Sequence, residues 1–483
     1  MILRLIQRLL KRPEGPTAPP AQPAGPRLTT YRGSELGIAR EQISTAAYRT
    51  CELLQRAGFK AFVVGGGVRD SLLGLTPKDF DVATDATPEQ VQGVFRRARI
   101  IGRRFKIVHV MFGRETIETS TFRALQTDAE TDEHGRVLRD NVFGTQQEDA
   151  LRRDFTVNAL YYDPVADQVL DWLGGVADLK ARTLRMIGDP ATRYREDPVR
   201  MLRTVRFAAK LDFHVDAETL APIAELAPLL ENVPSARLFD EMLKLLESGH
   251  ALACVRRLRA EGLHHGVLPL LDVILEQPHG ERFIEVALSQ TDARVRAGKS
   301  VSPGFLFAAL LWQSVADQWA ARKAAGEHSI PALMEAMDAV LDGQAAKLAI
   351  QRRYIADMRE IWGLQPRLEQ GGRGALRALE HLRFRAGYDF LLLRVEAGEL
   401  PASLGEWWTA FVEGDPATRE ALLQARPGEA RSGKRRRRRR SGRRPGGGIE
   451  SSTDTPHHDS DDEADSESAI GQSGHSPRRD DPR

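Results

Sequence analysis

Cysteine is almost missing from this 483-residue sequence, with Cys51 and Cys254 the only two. Two thiols cannot build a disulfide framework, and their scarcity fits a reducing, cytoplasmic setting. No run of about 18 apolar residues occurs, so no membrane span is expected. No secretory leader is expected either. Arg4, Arg8, Lys11 and Arg12 interrupt the apolar positions at the start, and no apolar core of about 7–15 residues follows. Internal repeats are absent. Net charge is only +2, but that small sum hides segregation. Residues 434–440 are seven consecutive basic residues, Arg443 and Arg444 follow, and residues 459–468 (DSDDEADSES) turn acidic. Charge blocks of this kind are solvated, and they often act as interaction tails.

Hydrophobic residues at 41% and charged residues at 28% are ordinary for folded protein. The length leaves room for two or three domains of roughly 100–200 residues. Residues 1–35 form an extension and linker. Leu3, Ile6 and Leu10 space out a short amphipathic helix, for docking or membrane-surface contact, and the stretch over 13–35 is rich in Pro, Gly and Ala. Residues 36–175 mix helix and strand. A helix is expected over about 40–57, ending near Gly58. Ala61 to Val64 is a buried strand, VRDSLLG is a helical turn closed by Gly74, and DFDVAT is a second strand. Thr87, Pro88 and Gln90 form a capping box. Residues 106–112 and 115–122 pair around Gly113. A neck over 176–240 and a body over 241–426 follow, with helical periodicity from Asp197 to about 420 and almost no strand signal. Residues 427–483 form the charged tail. The expected class is α+β: a small head with a mixed sheet, an all-helical neck and body, and a disordered tail.

The chemistry lies in four clusters. In GGGVRDSLLGLTPKDFDVAT, residues 65–84, three glycines follow a strand and lead into a basic helical turn. Backbone N–H groups there can approach an anion, although a tight turn alone would explain one glycine. Asp79 and Asp81, two apart, share a strand face. Like charges so close are tolerated when solvated or when a cation lies between them. Glu118, on a strand face with Thr116 and Ser120, is one candidate for a third carboxylate, and Asp154 in RRDFTVNAL is the other. Asp154 and Asn158, four apart, would share a helix face, to bond a ribose or to cap. In REDPVRMLRTVRF, Asp197 before Pro198 looks like a helix N-cap. Glu196, Asp197 and Arg200 also carry the acceptors and donors that can read a nucleobase edge. Arg200, Arg203 and Arg206 form a basic ridge whose default reading is a solvated face. His264–His265 and His457–His458 lack metal-ligand company.

The ordered set GGGVRDSLLG, DFDVAT, RRDFTVNAL and YREDPVRMLRTVRFAAKL, over about residues 60–215, resembles the polymerase-β nucleotidyltransferase superfamily. Within it, the chain resembles the poly(A) polymerase and class II CCA-adding enzyme family. The resemblance implies a polymerase-β-like head, with Asp79 and Asp81 binding catalytic Mg²⁺ or Mn²⁺ and Asp154 or Glu118 as third carboxylate. It implies Gly66, Gly67 and Arg69 on the triphosphate, and Arg123, Asp154 and Asn158 around sugar and phosphates. It implies Glu196, Asp197 and Arg200, assisted by Arg203, as base readers. The looser stretches FRRARIIGRRFKIVHVMFG and RDNVFGTQQEDALRRDF resemble the poly(A) polymerase branch, as does the basic extension; the acidic end departs from it. The implied activity is template-independent transfer of AMP from ATP to RNA 3′ ends, with the RNA-degradation machinery as partner. CCA addition to tRNA is the alternative, and an RNA-binding protein with an inactive head is another of a different class. The basic tail would hold RNA by phosphate attraction and raise its effective concentration, or would merely aid solubility.

Overall fold

A computed structural model describes residues 27–102, 106–125, 142–263, 280–345 and 349–424. The amphipathic start, most of the Pro-rich linker, the charged tail and both His pairs lie outside the described residues.

Eight strands form one mixed sheet: β1 (Thr29–Arg32), β2 (Ala61–Val64), β3 (Asp81–Thr84), β4 (Ala98–Ile101), β5 (Ile107–Phe112), β6 (Glu115–Thr121), β7 (Leu160–Asp163) and β8 (Gln168–Asp171). Their order is β1-β8-β7-β2-β3-β6-β5-β4. All the pairings are antiparallel except β3 with β6. The apolar run of β2 is buried throughout, as befits a strand covered on both faces. Val63, Val82, Val108 and Ile117 join the main core on one face, whereas Phe62, Val64, Ala83 and Tyr161 build a smaller core on the other.

Two local expectations change. Residues 29–32 are not linker but the edge strand β1, in register with Gln168–Asp171. Its Thr-Thr-Tyr sequence suits a pleated edge, and its partner lies too far along the chain for local pattern to disclose. The helix expected from about residue 40 begins at Thr45, where the Ser44 side chain accepts from the Ala47 N–H; residues 40–42 make a 3₁₀ turn instead. The Thr87 capping box forms as expected, with reciprocal bonds to Gln90 of 2.8 and 3.3 Å.

Beyond β8 come a parallel strand pair, Thr183–Leu184 with His214–Val215, and then helices. The longest, Pro303–Ala324, Ser329–Ala345 and Arg352–Gln370, pack around Phe307, Trp312 and Trp362. Val199–Leu211 connects them to the sheet region, and its Phe207 packs edge-on against Phe155, with ring centroids 5.7 Å apart.

Gly65 takes φ +74° at the end of β2, a conformation that favours glycine. The helix Gly66–Leu72 follows. A Cβ on Gly67 would lie 2.9 Å from the Phe80 ring, whereas on Gly66 it would meet only the Arg69 side chain at 3.5 Å. The glycine turn and the residue between the two aspartates are therefore one packed unit. Gly67→Ala should cost roughly 1–3 kcal/mol through overpacking and lower the thermal midpoint, whereas Gly66→Ala should leave the midpoint near that of the native protein; scanning calorimetry of the two variants checks this.

Candidate active site

Asp79, Phe80, Asp81 and Val82 alternate between solvent and core: Phe80 and Val82 are buried and both aspartates are exposed. Asp81 opens β3, while Asp79 lies just ahead of the strand. The parallel pairing sets Asp81 directly beside Glu118 on β6. Although solvent reaches the Asp81 side chain, the protein packed around the cleft strips part of its hydration and pushes its pKa up to about 6, and Asp79 and Glu118 push the same way, partly offset by Arg153. Adjacent carboxylates suit a hard divalent cation. Among the described residues no group of three acidic, His or Cys side chains is placed to hold a metal ion by itself.

Asp81 and Glu118 line a cavity of about 320 Å³ with Ser120, Arg123, Arg152 and Arg153. Arg153 is clamped from behind. Its Nε donates to the Tyr161 hydroxyl at 3.2 Å and its Nη2 to Asp149 at 3.0 Å, while Tyr161 donates to the same Asp149 oxygen at 2.6 Å. The Arg123 N–H donates to the other Asp149 oxygen at 3.3 Å. Sequence reasoning left Arg153, Asp149 and Tyr161 without roles, and only the doubled arginine before Asp154 hinted at one.

Arg153 also borders a second cavity of about 340 Å³, lined by Asp154, Asp197, Arg200, Arg203, Arg237 and Glu241. The structure thus brings Asp154 together with the base-reading candidates and sets Glu118 beside Asp81. Asp154 accepts from Arg203 at 2.5 and 3.1 Å, from Asn158 at 3.0 Å and from the Phe155 N–H at 2.8 Å. Burial alone would raise its pKa, but Arg203 and these hydrogen bonds outweigh it and hold the carboxylate low. The Asp154–Asn158 contact exists without the expected α-helix. Phe155 bridges to Met186 and residues 156–158 form a 3₁₀ turn, which still closes the four-residue spacing.

Arg69 is 3% exposed. It donates to Asn158 at 2.6 Å and Asp70 at 2.8 Å. Glu196 accepts from Arg193 at 2.8 Å and Arg200 at 2.9 Å. Asp197 does not act as an N-cap. Preceding Pro198 it is driven out of the helical region, to φ −151° and ψ 89°. Its Oδ2 accepts from Arg237 at 2.6 Å, and its Oδ1 is buried with no hydrogen-bond partner. The basic ridge is not a solvated face either: Arg200 pairs with Glu196, Arg203 with Asp154, and Arg206 with buried Glu241. Arg237 and Glu241 carry no motif and went unnoticed in the sequence.

An unfolded aspartate titrates near 3.8, and Asp81 in the folded protein near 6. Between those values the folded state holds the extra proton, so stability falls as Asp81 becomes charged with rising pH. In EDTA, Asp81→Asn should raise the thermal midpoint relative to the native protein near neutral pH and lose that advantage at about pH 4. An equal difference at both pH values contradicts the cause assigned.

Three family models match the chain: Poly A polymerase head domain over residues 61–185, probable RNA and SrmB-binding site of polymerase A over 212–275, and polymerase A arginine-rich C-terminus over 325–444. Poly(A) polymerase I of Haemophilus influenzae is 46% identical over 409 residues, 81% of this chain and 90% of that protein. The Escherichia coli O157:H7 protein of the same name is 44% identical, covering 83% and 89%. The CCA-adding enzyme of Streptococcus suis is 40% identical, but over only 40% of this chain and 47% of its own length. Among solved structures, the Bacillus stearothermophilus CCA-adding enzyme in complex with CTP shares the fold, with TM-score 0.53 and 24% identity over 79% of this chain and 91% of that one. With an ordered carboxylate row, an arginine-lined cleft and near full-length similarity of this degree, the chain belongs to the bacterial poly(A) polymerase I family of nucleotidyltransferases.

Proposed function

We propose that the chain adds AMP units from ATP to RNA 3′ ends without a template, releasing pyrophosphate. The observation that carries this reading is the pair of neighbouring cavities that share Arg153 in their walls, with Asp81 and Glu118 in one and Asp197 and Arg200 in the other. Asp79, Asp81 and Glu118 would hold Mg²⁺ or Mn²⁺, and the bound cation neutralises the charge that develops on the transferred phosphoryl group. Glu118 is the third carboxylate on this reading, because it shares a register with Asp81, whereas Asp154 is saturated by Arg203 and Asn158. Gly66 brings backbone close to the triphosphate, while Gly67 and Arg69 keep the loop and the polar floor in place. Arg123, Arg152 and Arg153 face the phosphates and ribose.

In the second cavity the Asp197 oxygen accepts from an exocyclic amino group, and Arg200 donates to a ring nitrogen. Cytosine offers an amino group too, so the donor pattern alone does not select ATP. Selection comes from fixed spacing, since Arg237 holds Asp197 while Glu196 and the Arg193 carbonyl hold Arg200. A rigid frame sized for a purine leaves cytosine short of its partners, and buried groups left unpaired are costly. On this reading the enzyme works in the cytoplasm, on RNA ends that the degradation machinery then takes up.

Asp81→Asn and Glu118→Gln should each lower AMP incorporation by roughly two orders of magnitude or more, with RNA binding retained; normal turnover in either removes its assigned role. With native protein, long tails from ATP on an oligo(A) primer support the reading, whereas C, C and A additions that stop on a truncated tRNA support CCA addition. Arg237→Ala should narrow the preference for ATP over CTP by roughly tenfold, measured as the ratio of kcat/KM values.

A further inference from the structure

We propose that the open face of β4 and β5 beside the carboxylates seats the last nucleotides of the RNA primer; this rests on the nucleotidyltransferase reading above. One cross-strand row at a single register runs Val64, Asp81, Glu118, His109, Arg99, over β2, β3, β6, β5 and β4. Residues paired in this way share a face, and His109 Nε2 lies 3.5 Å from Glu118 Oε1. Inward of the carboxylates the face is sealed by the small core of Val64, Ala83 and Tyr161. Outward it opens: Arg99 is exposed, Ile101 is 42% exposed, and Ile107 and His109 are half-buried. Ile101 pairs with Ile107 next to the Arg99–His109 pair, so an apolar step adjoins a cationic one. Ile107 also lines the Asp81–Glu118 cavity, which makes the surface continuous with the site.

The reaction geometry chooses the occupant. In-line displacement brings the attacking 3′-OH to phosphorus from the side opposite the departing pyrophosphate. The nucleotide occupies the side of the glycine turn and the second cavity. The remaining approach crosses β6 towards β5 and β4. Arg99 there meets a backbone phosphate, and the Ile101–Ile107 step supports an unstacked base, the combination by which single strands are held.

The test uses full-length protein and an oligo(A) primer that ends in a 3′-deoxynucleotide and carries 4-thiouridine next to it. Irradiation should place cross-links within residues 98–112, located by mass spectrometry; cross-links confined to other parts of the chain overturn the proposal. Arg99→Ala should raise the primer KM roughly two- to fivefold and reduce the salt slope of primer binding by about one, with the KM for ATP unmoved and Arg99→Lys restoring both. An unchanged primer KM and slope point to another occupant of this face, such as a protein, and also overturn it. Cross-linking and the salt slope need no turnover, so they report even if AMP is not the unit transferred. Conversely, efficient tailing without cross-links on these strands sinks this proposal and leaves the activity standing.

Discussion

The site depends on two carboxylates that the sheet does not allow to separate. Asp81 and Glu118 face each other where β3 runs parallel to β6, the one parallel pairing in the eight-stranded sheet. Backbone hydrogen bonds fix that register along the whole ladder, from Asp81–Glu118 to Thr84–Thr121. Within that register, loss of hydration in the cleft does most to raise the Asp81 pKa, and Asp79 and Glu118 add to it. A fold that holds two such carboxylates side by side is prepared for positive charge at that place.

A chain of polar contacts runs from the helix after the glycine turn to the second cavity. Asp70 holds Arg69, Arg69 holds Asn158, Asn158 holds Asp154, and Asp154 holds Arg203. Arg203 and Arg206 both pair with Glu241 on the helix Ser235–Leu246. Phe207 sits among three guanidiniums, with Arg69, Arg203 and Arg206 at 5.1, 5.4 and 4.5 Å from its ring centre. Such networks are costly when partly satisfied and rigid when complete.

Local chemistry left clear marks in the sequence. The Asp79–Asp81 alternation, the Thr87 capping box and the four-residue reach from Asp154 to Asn158 are short-range, and each appears in the structure. Long-range partners left none. β1 looked like linker because its hydrogen-bonding partner β8 is remote in sequence. Asp197 looked like a cap because Asp-Pro usually is one, yet its carboxylate turns to Arg237, forty residues away. The arginine ridge looked solvated because its three acidic partners come from three separate places.

By itself, then, the sequence determined the residue types, their order and the periodicities that make strands and helices, since these follow from side-chain chemistry and backbone geometry over a few residues. That was enough to mark the carboxylates, the glycine turn and the Glu196–Arg200 cluster as candidates, and their order along the chain carried the resemblance to one family. Tertiary structure decided which acid stands beside which. It set Glu118 next to Asp81 and gave Asp154 to Arg203. The reason is that register and helix packing are settled by burying the whole core at once, and no local window of the chain contains that balance.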